Sequence, residues 1–112
     1  MVKVYVAVLT YYGAANDEFQ VHGVYTDSNK AWQNCLMAEY LRNTLARYVW
    51  RDPSKPIPDK SPYEALYKQL LNEEGFVVTD EFKKQWEDVR DAYHKPVGNC
   101  CWQASVEERE VR

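Results

Sequence analysis

Eleven residues near the start of the chain, Val2 to Tyr12, read Val-Lys-Val-Tyr-Val-Ala-Val-Leu-Thr-Tyr-Tyr and carry a single charge. β-Branched and aromatic side chains fill most positions, and these suit a pleated surface. The even positions hold Val2, Val4, Val6 and Val8; the odd ones hold Lys3, Tyr5, Ala7, Leu9 and Tyr11. A strand with one wet face alternates apolar with polar, whereas this one is apolar on both faces. It is expected to be the central strand of a small sheet. Helices should cover one face, and aromatic side chains or a second chain at least part of the other.

The rest of the chain supplies neighbours for that strand. Turn residues from Gly13 to Glu18 lead into Phe19–Tyr25, which alternates again. Strict period two would put Phe19, Val21 and Tyr25 on one face and Gln20 and His22 on the other. Gly23 weakens this second strand and marks a bulge or a close approach. Thr26-Asp27-Ser28-Asn29 then offers four successive helix caps. The helix they open should run from Ser28 to Trp50. One stripe, Ala31, Cys35, Ala38, Leu41, Leu45 and Val49, faces the sheet; a second, Trp32, Leu36, Tyr40 and Trp50, faces later helices.

Four of the five prolines fall between Arg51 and Pro62, so no regular element survives there. We read 51–62 as a surface loop with polyproline character. Ser61-Pro62-Tyr63-Glu64 has the form of a capping box with proline at the first helical position. The helix that follows carries Leu66, Tyr67, Leu70 and Leu71, and Gly75 ends it, with Phe76 folding back on Leu71. Thr79 caps a third helix with Phe82, Trp86, Val89 and Tyr93 at helical spacing, stopped by Pro96. From Cys100 to Val106 the period returns to two, with Trp102, Ala104 and Val106 on one face, and Glu107 to Arg112 extend this last strand or fray from it. With 112 residues the chain suits one domain, 1–112, around one core. The expected fold is α+β: a three-stranded, mostly antiparallel sheet with the first strand central and three helices on one face, in the order ββαααβ.

Composition excludes several kinds of work. The net charge of −3 divides into +1 for residues 1–60 and −4 for residues 61–112, and no basic run exists to meet a phosphate backbone. Nucleic acid is not an expected partner. No apolar run approaches the ~18 residues a membrane span needs, and Met1-Val2-Lys3 enters a strand without a signal-peptide pattern. Three cysteines, two of them adjacent, do not make a disulfide framework, which points to a reducing, cytoplasmic setting.

Cys35, Cys100, Cys101, His22 and His94 lack the paired spacing of a metal site, so no metal or other cofactor is expected. There is no phosphate-binding glycine loop and no Ser-centred elbow. The paired carboxylates Glu73-Glu74, Asp80-Glu81, Glu87-Asp88 and Glu107-Glu108 read as solvated faces or helix-dipole partners. The one catalytic alternative is a thiolate at Cys100 or Cys101 activated by His94 across the Pro96–Asn99 turn. No catalytic residue is assigned.

Aromatic content is the unusual quantity, with nine Tyr and four Trp. Rings beside arginine dominate contact hot spots. Tyr48, Trp50 and Arg51 run straight into the proline loop, with Ile57 inside it and Tyr63 beyond it. These five form the candidate binding surface. A structural homodimer through the uncovered sheet face is a further alternative, with Tyr5, Tyr11 and Trp102 as its seam.

Val4-Tyr5-Val6 at the start, then Gly23-Val24-Tyr25-Thr26 leading into a helix with Lys30-Ala31, resembles the opening of many small bacteriophage-type proteins. The likeness covers residues 2–40 and is fold-forming, so it transfers no active site. It implies a compact accessory protein that binds and inhibits a host factor. The expected function is non-enzymatic: a small binding protein acting through protein–protein contact.

Overall fold

The computed structural model describes residues 2–12, 18–49, 60–72, 75–94 and 101–111, with backbone alone at Tyr12, Glu18, 45–49 and Asn72. The elements are β1 (Val2–Tyr12), β2 (Glu18–Tyr25), α1 (Ser28–Val49), α2 (Ser61–Asn72), α3 (Asp80–His94) and β3 (Cys101–Val111). The sheet has the order β2-β1-β3, and both pairings are antiparallel. The strand that is apolar on both faces is therefore the central one. β3 continues in register to Val111 opposite Val2, so the charged run 107–110 belongs to the strand.

β2 departs from simple alternation. Ala7 pairs with Gly23 but Val8 pairs with Val21, which leaves His22 as a surplus residue. Such a bulge resets the parity of the strand. Phe19 and Val21 lie opposite Thr10 and Val8, and Val24 opposite Val6, so these three share the outer face. Tyr25, expected beside Phe19 and Val21, instead lies opposite Tyr5 on the inner face, where it packs against the Ala7–Leu9–Cys35 cluster. A Cβ at Gly23 would come within 3.1 Å of the Tyr25 ring, so the glycine makes room for that ring.

Asp27 opens α1 by accepting the amides of Asn29 (2.8 Å) and Lys30 (3.3 Å) at its carboxylate. The helix buries Ala31 and packs the buried Cys35 against Ala7 and Leu9 on the inner face of β1. Small side chains let it approach closely: the Cys35 thiol donates to the Val8 carbonyl at 3.4 Å. Further along, the buried stripe is not the expected one. It continues through Glu39 and Asn43, while Leu41 is 46% exposed. Leu45 and Val49 carry no described side chains.

α2 and α3 form a second layer over α1. Leu36 and Tyr40 of α1 meet Tyr63, Leu66 and Leu70 of α2 and Phe82, Trp86 and Tyr93 of α3. Thr79 caps α3 by accepting the Phe82 amide at 3.0 Å. Gly75 takes the left-handed conformation expected of it, with φ of 73°. Phe76 packs on Phe82, with ring centroids 4.8 Å apart, and leaves Leu71 exposed. Asn29 ties this connection to α1: its amide donates to the Phe76 carbonyl and accepts the Val78 amide, both at 2.7 Å.

Candidate contact face and the buried carboxylate

Two places in the structure concentrate features a simple fold does not require. The first is the junction around Glu39. Its side chain is fully buried. Oε1 accepts from the Trp86 indole at 3.0 Å, the Tyr63 hydroxyl at 3.1 Å and the Arg90 guanidinium at 3.5 Å; Oε2 accepts the Ala104 amide at 2.9 Å. Asn43, one turn on, accepts the Trp102 amide at 2.8 Å and donates to the Trp102 carbonyl at 3.0 Å and the Tyr63 oxygen at 3.2 Å. With Asn43 donating to it, the Tyr63 hydroxyl turns its own proton to Glu39. Every partner of Glu39 is a donor.

Burial raises the Glu39 carboxyl above the usual carboxylate range; Arg90, Trp86, Ala104 and Tyr63 oppose that shift. Burial lowers the Arg90 pKa, but Glu39 and Asp91 outweigh it and the net shift is upward. Tyr63 is held well above its ordinary pKa, first by burial and then by the Glu39 charge. A carboxylate sealed beneath Tyr63 and Trp86 meets no substrate. What it does is mechanical: it joins α1, α2, α3 and β3 at one point. Alternate residues Trp102 and Ala104 of β3 give their amides to α1, which saturates that stretch of the sheet edge.

The second place is the outer face of the sheet. Val4, Val6, Val8 and Thr10 form its centre, with Phe19, Val21 and Val24 of β2 on one flank. Gln103, Ser105, Glu107 and Arg109 of β3 lie on the other. α1 covers the opposite face, and Phe19 is 72%, Val21 58% and Val24 60% exposed. Val2 (59%) and Val111 (49%) close one end. Solvated sheet faces are ordinarily polar; here Val8 is buried and Val4 and Val6 are half-buried, while the apolar side chains of β2 stand open.

The expected site residues scatter. Tyr63 is fully buried and serves the Glu39 junction, so it belongs to the core and not to a surface. Trp50, Arg51 and Ile57 lie outside the described residues, as does the Tyr48 side chain. Tyr5, Tyr11 and Trp102 lie on the inner face: the Tyr11 and Trp102 rings meet at 46° with centroids 5.3 Å apart, and the Arg42 guanidinium sits 4.7 Å above the Trp102 ring. They therefore cannot form a seam on the open face. His94 and Cys101 are both buried, and burial raises the Cys101 thiol pKa, which disfavours a thiolate. Cys100 lies outside the described residues.

The Glu39 junction is absent from the sequence reading because a glutamate and an asparagine on a helix read as its wet side. A signal was present: Ala31, Cys35, Glu39 and Asn43 recur every fourth residue, continuing the stripe of small residues. Comparison with family models, curated proteins and solved structures finds no match to this chain.

Proposed function

We propose that this chain is a non-enzymatic binding protein that works by protein–protein contact through the outer face of its sheet. The observation that carries the reading is the row of exposed apolar side chains Phe19, Val21 and Val24 on β2, beside the half-buried Val4 and Val6 of β1. The Glu39 junction supports it, since the polar groups most able to do chemistry are spent on rigidity. A rigid support keeps such a face flat and ready, which lowers the ordering cost of association. The bacteriophage-type resemblance of residues 2–40 fits a protein that acts by occupying another surface.

The test sets this face against the aromatic and proline-rich segment. Immobilised protein is compared with Val6→Glu and with a Trp50→Ala, Ile57→Ala double variant for capture of protein, both from lysate and from the purified chain. Loss of capture by Val6→Glu alone, with an unchanged far-ultraviolet circular dichroism spectrum, is the expected result. Full capture by a folded Val6→Glu variant sinks the reading.

A further inference from the structure

We draw no further inference here: the strongest candidate, the exposed apolar row of Phe19, Val21 and Val24 on the outer face of the sheet, belongs to the contact face already described, and nothing in the structure shows what covers it.

Discussion

Glu39 shows how one polar residue can hold a core together. Alone, a buried carboxylate costs more than its ion pair returns; here four donors from three other elements meet it. Glu39→Ala would leave the buried Arg90 guanidinium with only the solvent-exposed Asp91 carboxylate, 3.2 Å away, as counter-charge. The expected loss is about 3–5 kcal/mol in denaturant unfolding. Adding Arg90→Met should recover part of it, since the two residues share one interaction. Cys35 gives a second prediction. Its thiol is pushed up to about 12 by burial, with Glu39 adding to the shift and the Ser105 and Val8 carbonyls opposing it. An unfolded chain releases that proton near 9.0, so the folded state holds more protons above this pH. The contribution is complete below pH 9 and is lost as pH rises toward 12. Tyr63, also raised, acts in the same direction above its ordinary value of 10. Unfolding midpoints should therefore fall as pH rises through the alkaline range. Cys35→Ala should lessen the slope by up to about 1.4 kcal/mol per pH unit.

At the scale of elements, the bulge in β2 determines which side chains the face presents. Deleting His22 would restore plain alternation and force either Tyr25 outward or Phe19 and Val21 inward. Either outcome loses packing, with an expected cost of about 1–3 kcal/mol by thermal unfolding. Capping is a smaller matter: Thr79→Ala should cost about 1 kcal/mol, because the Phe82 amide loses its acceptor. These two sites also show what the sequence could and could not say. The cap at Thr79, the left-handed Gly75, the central β1 and the order of all six elements were legible, since each follows from local chemistry or period. The faces of β2 were not, because one surplus residue inverts parity and only pairing with β1 reveals it. Nor was the buried stripe of α1, where a pattern of apolar residues favoured Leu41 over Glu39. Polarity alone cannot say that a side chain has four donors waiting for it.

For the whole molecule, the layering divides the core in two. α2 and α3 pack their aromatic residues on one side of α1, and the sheet lies on the other. The second face of the sheet therefore lies away from the main core. Exposed strand edges ordinarily open first, and their amides exchange with solvent in minutes or less. Ala104 lies on such an edge, yet its amide ends on the carboxylate that also holds both outer helices. No helix can lift away without freeing that carboxylate, and freeing it loosens the others. Deuterium uptake at Ala104 should thus be as slow as in the middle of β1, and should quicken only when the entire chain comes apart.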